Sequence, residues 1–209
     1  MLRRLRAAEA ATAAGVGAAD RGIPVVVSAR HVHLSRGVAD RLFGEGHDLR
    51  KLRDLGQPGE YACQESVTLI GPSTRAIEGV RILGPLRQYT QAEISRTDGV
   101  RLGIDPPVRT SGDLAGAAPI TMVGPRGTVA LREGAIRATR HIHMTEGDAR
   151  AHGVRDGQRV RVRFSGPKAL VFEDVLVRVA GSAALELHLD TDDANAADVR
   201  LPMTVDILR

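Results

Sequence analysis

The segment RHVHLS at residues 30–35 returns as RHIHMT at residues 140–145. The two copies match position by position in residue type, and each is followed by a short helical pattern. A second pair, VTLIGP at 67–72 and ITMVGP at 120–125, repeats in the same way. Self-similarity between two halves of a chain indicates duplicated structural units, and two copies are too few for a solenoid. The sequence therefore predicts two related modules.

Short β-branched runs punctuated by Gly-Pro pairs make up most of the chain around these motifs. Such runs lie at 23–29, 65–72, 76–85, 119–127 and 159–166. Helical spacing is confined to short segments, one of which follows Ser35 as a predicted N-cap and ends at Gly44 and Gly46. Many short strands and few helices predict a β-dominated fold, and the duplication indicates two related barrels.

Composition narrows the classes of function. Hydrophobic residues are 43% and charged residues 26% of the 209 residues, which is ordinary globular usage. The net charge of +4 suits an anionic partner, but the basic residues are scattered and aromatic residues, which stack on bases, are scarce. We therefore expect a polyphosphate-bearing small molecule rather than nucleic acid, and no apolar run is long enough to predict a membrane span. Cys63 is the only cysteine, which excludes an intramolecular disulfide and a Cys-rich zinc site and favours a cytoplasmic setting.

Five of the seven histidines fall in strand-like motifs. Residues i and i+2 of a strand point to the same face, so His31 with His33, and His141 with His143, each present two imidazoles side by side. His188 alternates with leucines in the same manner. A lone histidine is more often structural than a ligand, but the duplicated pair predicts metal binding. Zinc suits such nitrogen-rich ligands, while cobalt, nickel and iron stay open.

Two arginines and a glutamate occur at equal spacing in VRILGPLRQYTQAEIS, residues 80–95. Arg81, Arg87 and Glu93 are six residues apart and would share one side of an extended chain. An arginine fork suits phosphate oxygens, although a solvated surface charge is the alternative for each arginine.

Several longer segments together resemble the PduL-type phosphate propanoyltransferases from residue 23 to the C-terminus. Besides the two His-x-His motifs and residues 80–95, they are QPGEYACQESVTLIGP (57–72), DPPVRTSGDLAGAAPITMVGPRG (105–127) and ELHLDTDDANAA (186–197). The resemblance implies two β-barrels capped by short helices, with a dinuclear zinc site, and hence the active site, between them. It also implies acyl-CoA, phosphate and acyl phosphate as the reacting partners.

The resemblance assigns roles to particular residues. One zinc would bind His31, His33 and Glu93, the other would bind His141, His143 and His188, and Arg87 would hold phosphate. Coenzyme A contacts would fall on Val27, Ser28, Ala29, Arg81 and Asn195. A further coenzyme A position, usually lysine in the family, is Thr74 here, with Arg75 beside it.

The resemblance also implies a discontinuous domain arrangement. Barrel 1 would comprise residues 21–29 plus 139–209, and barrel 2 would comprise residues 30–138. Residues 1–20 form an N-terminal tail that is either a bacterial microcompartment-targeting segment or a frayed end. The first interpretation adds the microcompartment lumen as a location and shell or core proteins as partners, and a homo-oligomer is a further expectation. Gln57–Gly59 would belong to a region covering the active site, or form a plain turn.

The predicted chemistry is direct attack of phosphate on the thioester, without an acyl-enzyme. Cys63 is then a structural thiol, and its use as a covalent nucleophile is the alternative. Two other functions stay open: a cupin-like metal-dependent oxygenase, and a non-catalytic metal-binding module associated with a shell. The choice between acetyl and propanoyl groups is not decided by the sequence.

Overall fold

The computed structural model describes residues 22–208, so residues 1–20, with their two interpretations, lie outside the described part. Within 22–208 there are fourteen strands and four short helices. The strands are β1 Ile23–Val27, β2 His31–His33, β3 Lys51–Asp54, β4 Tyr61–Ile70, β5 Ala76–Gly84, β6 Gln91–Glu93, β7 Val108–Arg109, β8 Ala118–Val123, β9 Thr128–Ala138, β10 His141–Met144, β11 Arg159–Phe164, β12 Leu170–Val179, β13 Glu186–Leu189 and β14 Thr204–Leu208. The helices are α1 Arg36–Phe43, α2 Arg96–Leu102, α3 Glu146–His152 and α4 Thr191–Ala196. No helix in the described range is long and apolar enough to cross a membrane.

Six strands close the first barrel in the order β1-β13-β10-β12-β11-β14. The segment RVRVRF of β11 shows why these strands form, because its alternate residues Val160, Val162 and Phe164 are buried and its arginines are exposed. The first-barrel core contains these residues together with Ile23 and Ile142. An alternating strand buries one face and wets the other, and closure leaves no free edge.

The second barrel is the ring β4-β5-β2-β6-β9-β8, which closes because β8 pairs with both β9 and β4. Strands β3 and β7 add to this ring through β4 and β9. Its core is almost entirely aliphatic and includes Val32, Leu69, Ile82 and Met122. The prediction of a β-dominated fold with two barrels and short helices is confirmed.

The duplication is visible in the strand pairing. Strand β2 lies between β5, which is parallel to it, and β6, which is antiparallel. Strand β10 lies in the same way between β12 and β13. In both units the His-x-His strand and its antiparallel neighbour each lead into a short helix. Strand β1 pairs with strands of the 141–208 segment, and we retain the boundaries 21–29 plus 139–209 and 30–138 as a proposal.

The helix starts are fixed by capping. Ser95 and Thr145 form complete capping boxes before α2 and α3, and Asp190 accepts two backbone N–H bonds at the start of α4. Ser35 precedes α1 as predicted but makes no side-chain cap, because its hydroxyl lies 3.0 Å from the Thr90 hydroxyl instead. The predicted N-cap position is therefore correct, but the predicted capping hydrogen bond to the Ser35 side chain is absent. Gly44 ends α1 as expected.

Candidate active site

The first group of candidate metal ligands is His31, His33 and Glu93. Strand pairing sets His31 directly opposite Glu93, while Val32 between the histidines points into the second-barrel core. Glu93 Oε2 lies 3.6 Å from His31 Nε2, and Glu93 Oε1 lies 3.9 Å from His33 Nε2. One ligand atom from each side chain lies within 4.8 Å of the others, a spacing that suits a shared cation.

Backbone carbonyls orient both imidazoles of this group. His31 Nδ1 donates to the Ala29 carbonyl at 2.9 Å, and His33 Nδ1 donates to the Leu83 carbonyl at 3.2 Å. A carbonyl only accepts, so the proton is on Nδ1 and the Nε2 lone pairs face Glu93. Such an outer partner is what fixes the tautomer of metal-binding histidines.

The second group is His141, His143 and His188. The register of β10 with β13 sets His141 opposite His188, and the Nε2 atoms of His141 and His143 are 3.1 Å apart. His188 Nε2 lies 3.1 Å from Glu186 Oε2, and its Nδ1 lies 3.3 Å from Ser28 Oγ. Their ligand atoms also lie within 4.8 Å of one another. Both predicted triads are therefore brought together by strand pairing.

The protonation states suit cation binding. Burial, and then the neighbouring His31, lower the pKa of His33 to about 3. Burial, and then His141 and His188, lower the pKa of His143 to about 3. Burial alone would raise the pKa of Glu93, but His31 and His33 outweigh it and hold this pKa below its ordinary value. His33 and His143 are thus neutral and Glu93 is charged at neutral pH, and these are the forms that bind metals.

Both groups open onto one cavity of about 120 Å³. Its walls come from both barrels, and it is lined by Ser28, His31, His33, Glu60, Leu83, Arg87, Glu93, Ile94, Ser111, Ala138, Thr139, His141, His143, Arg178, His188, Leu189 and Asp190. Each group offers three ligand atoms close enough together to bind one divalent cation, so the two groups fit two cations. Nitrogen-rich sets of this kind are typical of zinc.

Arg87 lies in this cavity as predicted and is firmly held. Its guanidinium donates to Glu60 Oε1 at 2.7 Å, to the Tyr89 hydroxyl at 2.7 Å and to Ser111 Oγ at 3.3 Å. A guanidinium fixed by three partners costs little further entropy when it binds an anion.

The predicted coenzyme A residues are distributed unevenly. Only Ser28 of the six lines the cavity, and its neighbours Val27 and Ala29 flank it in the chain. Thr74, with φ of 62°, lies in the turn between β4 and β5, and the Asn195 carbonyl on α4 accepts a bond from Lys168. Their contacts with coenzyme A stay predictions.

The predicted sharing of one face by Arg81 and Arg87 is wrong. Strand β5 ends at Gly84 and β6 begins at Gln91, so the chain between the two arginines leaves the extended conformation. Arg81 instead donates to the backbone carbonyls of Cys63 at 3.0 Å and Gln64 at 2.7 Å, outside the cavity lining.

Sequence reasoning missed several cavity residues. Glu60, Ser111, Arg178 and Asp190 all line it. Glu60 directly follows the QPG motif, and the expected position of that motif over the active site could have indicated Glu60 as a site residue. Arg178 reaches the cavity only through the pairing of β12 with β10, which its own sequence neighbours do not indicate. Glu186 supports His188 without lining the cavity.

The segment before Glu60 reaches the other barrel. Gln57 is buried, its amide donates to Glu186 Oε2 at 2.7 Å and to the Ala184 carbonyl at 3.0 Å, and its oxygen accepts from Ala184 N–H. A Cβ on Gly56 would overlap the Glu186 carboxylate. The QPG region is therefore packed onto the strand that carries His188, which is more than a plain turn.

Cys63 is placed away from this chemistry. Its side chain is fully buried in the second-barrel core, and it does not line the cavity. Burial raises the pKa of its thiol to about 11. A thiol of this kind is protonated and inaccessible at neutral pH, so it lacks the properties of a nucleophile.

Comparisons with known proteins identify the family of this chain. The family described as phosphate propanoyltransferase matches residues 24–200. A phosphate propanoyltransferase of Thermotoga maritima is 55% identical over 177 residues, 84% of each chain. Those of Lachnoclostridium phytofermentans and Listeria monocytogenes are each 48% identical, over 89% and 85% of this chain and 87% and 83% of their own. These matches favour a transferase over the oxygenase and the non-catalytic module. The chain belongs to the phosphate propanoyltransferase family and is an acyltransferase that works on acyl-CoA and phosphate.

Proposed function

We propose that the cavity between the barrels transfers a short acyl group, propanoyl or acetyl, between coenzyme A and phosphate at a dinuclear zinc site. The observation that carries this proposal is the meeting of two complete ligand triads and Arg87 in one cavity lined by both barrels. Each ligand set would hold one zinc ion, giving two per chain. Zinc, when bound, polarises a thioester carbonyl and accepts a thiolate.

The two ligand sets differ in charge. Glu93 adds a carboxylate to the His31 and His33 set, whereas the other set consists of three imidazoles without a carboxylate. A cation held by neutral ligands keeps more of its charge and favours a dianion such as phosphate. The set with Glu93 is then left for the sulfur of coenzyme A.

Arg87 positions phosphate for the reaction. Its guanidinium already donates to Glu60, so phosphate either replaces that carboxylate or binds the remaining donors. A phosphate oxygen attacks the thioester carbonyl carbon, the new C–O bond forms as the C–S bond breaks, and acyl phosphate and the coenzyme A thiolate result. Such a reaction depends on orientation and charge stabilisation rather than on an enzyme nucleophile. The burial of Cys63 supports the direct route.

The coenzyme A contacts keep the residues that the family resemblance implies. Ser28 would meet the reactive end of the thiol arm because it lies at the cavity beside His188. The remaining parts of coenzyme A would contact Val27, Ala29, Arg81 and Asn195. At the position where the family usually has lysine, Thr74 would make an uncharged contact with coenzyme A.

The direct experiment measures phosphate-dependent release of coenzyme A from propanoyl-CoA and acetyl-CoA. We expect release that a chelator abolishes and that zinc restores at two ions per chain. Arg87→Lys should lower kcat/KM for phosphate about 10- to 100-fold, because the bidentate fork is lost. Arg126→Lys, at an exposed turn, is the matched control and should behave like the wild type. Chelator-insensitive release would refute the zinc mechanism.

We further propose that residues 1–20 direct the enzyme into a bacterial microcompartment. Three arginines and an alanine-rich stretch support an amphipathic segment. Deleting residues 1–20 should abolish co-purification with shells and leave turnover of the free enzyme unchanged. Continued encapsulation would instead support the frayed tail.

A further inference from the structure

A second arginine, Arg178, reaches the cavity from the opposite barrel to Arg87. It lies on β12, where the parallel pairing with β10 sets it beside His143. The preceding residue, Val177, is buried in the first-barrel core, so alternation turns Arg178 outward to the face that carries His141 and His143. Arg178 lines the same cavity as Arg87.

The two cavity arginines differ in what they contact. Arg87 donates to Glu60, Tyr89 and Ser111. Arg178 makes no side-chain hydrogen bond or ion pair with any residue between 22 and 208. A half-buried cation without a protein partner is satisfied by solvent or by a bound anion.

The cavity carboxylates do not neutralise Arg178, because each is engaged elsewhere. Glu60 pairs with Arg87. Glu93 accepts from the Gln91 amide at 2.6 Å and faces His31 and His33. Asp190 accepts backbone bonds at the start of α4. Arg178 thus has its positive charge directed into the cavity without a protein counter-ion in the described chain.

Both arginines line the same small cavity as His143. Arg178 lies directly across the β10–β12 strand pair from His143, and Arg87 enters the cavity from the second barrel. An anion beside His143 would therefore lie within reach of both arginines.

We propose that Arg178 is a second phosphate-binding residue, which holds the transferred phosphate, free or as acyl phosphate, opposite Arg87. The inference rests on the proposed function, in which Arg87 binds the same group. Two planar forks on opposite sides of a tetrahedral dianion fix its orientation better than one, and they leave an oxygen free for attack.

The test compares Arg178→Gln and Arg178→Lys with the wild type in the full-length, zinc-loaded enzyme. Arg178→Gln should raise KM for phosphate, and KM for acyl phosphate in reverse, about 10- to 100-fold. KM for acyl-CoA and the zinc content should stay unchanged, and Arg178→Lys should recover part of the loss. Calorimetric binding of inorganic phosphate should weaken by a similar factor. Arg163→Gln, an exposed arginine on the adjacent β11, is the matched control.

Three results would overturn the inference. An unchanged KM for phosphate would show that Arg178 does not bind it. A rise in KM for acyl-CoA alone would assign Arg178 to a phosphate group of coenzyme A. Loss of zinc from both variants would show a structural role. Arg87→Lys, measured in parallel, separates the two proposals, because an unaffected KM for phosphate in that variant would refute the proposed function itself.

Discussion

Acid should destabilise the metal-free protein through its buried histidines. The pKa of His33 and of His143 is about 3 in the folded protein, against an ordinary value of 6.5. The unfolded chain therefore takes up protons first as the pH falls. The stabilisation that comes from keeping these imidazoles neutral is fully present above pH 6.5, and it is lost progressively between pH 6.5 and about 3. Lowering the pH from 7.5 to 5.5 should reduce the free energy of unfolding by about 1.4 kcal/mol through His33 and by less through the more exposed His143. The two histidines together should account for about 2 kcal/mol.

Urea unfolding of chelator-treated protein, followed by circular dichroism at the two pH values, measures this difference. His141, whose pKa is also lowered by burial and by His188, adds to it in the same direction. The double variant His33→Asn with His143→Asn should reduce the difference by about 2 kcal/mol. A wild-type free energy of unfolding that is equal at both pH values would refute the reasoning. Full retention of the difference in the double variant would refute it as well. Saturating zinc should stabilise the wild type more at pH 7.5 than at 5.5, because protons compete for the same nitrogens.

Three substitutions test the surroundings of the site. Cys63→Ala should leave turnover within about twofold and cost about 1 kcal/mol of stability through a small cavity; loss of turnover in a folded variant would contradict direct attack. Gly71→Ala places a Cβ onto the backbone carbonyl of Leu102 and should cost about 1–3 kcal/mol, so an unchanged melting temperature would contradict the packing. Gly56→Ala places a Cβ onto the end of the Glu186 side chain, which can shift more easily than backbone, so it should cost less stability than Gly71→Ala. Because the displaced Glu186 carboxylate would no longer hold His188, the Gly56→Ala variant should bind metal at the three histidines about tenfold more weakly in a chelator-competition assay. An unaltered metal affinity in this variant would show that Glu186 does not support these histidines.

The sequence by itself determined the duplication and the two pairs of imidazoles. The i, i+2 spacing is a local property of a strand, so it predicts that His31 and His33 share a face whatever the strand pairs with. The same alternation indicated the outward direction of His188. Composition determined an aliphatic core, and the family resemblance linked Glu93 to the first pair.

The tertiary structure alone decided which side chains meet. Alternation tells whether a residue points in or out, but the neighbour across a strand depends on register, which is set by packing between distant segments. That register placed Arg178 beside His143 and set Glu93 opposite His31. The end of β5 at Gly84 separates Arg81 from Arg87, because the chain between them leaves the strand. The His-x-His motifs needed only local geometry, whereas the cavity that they share needed the closure of both barrels.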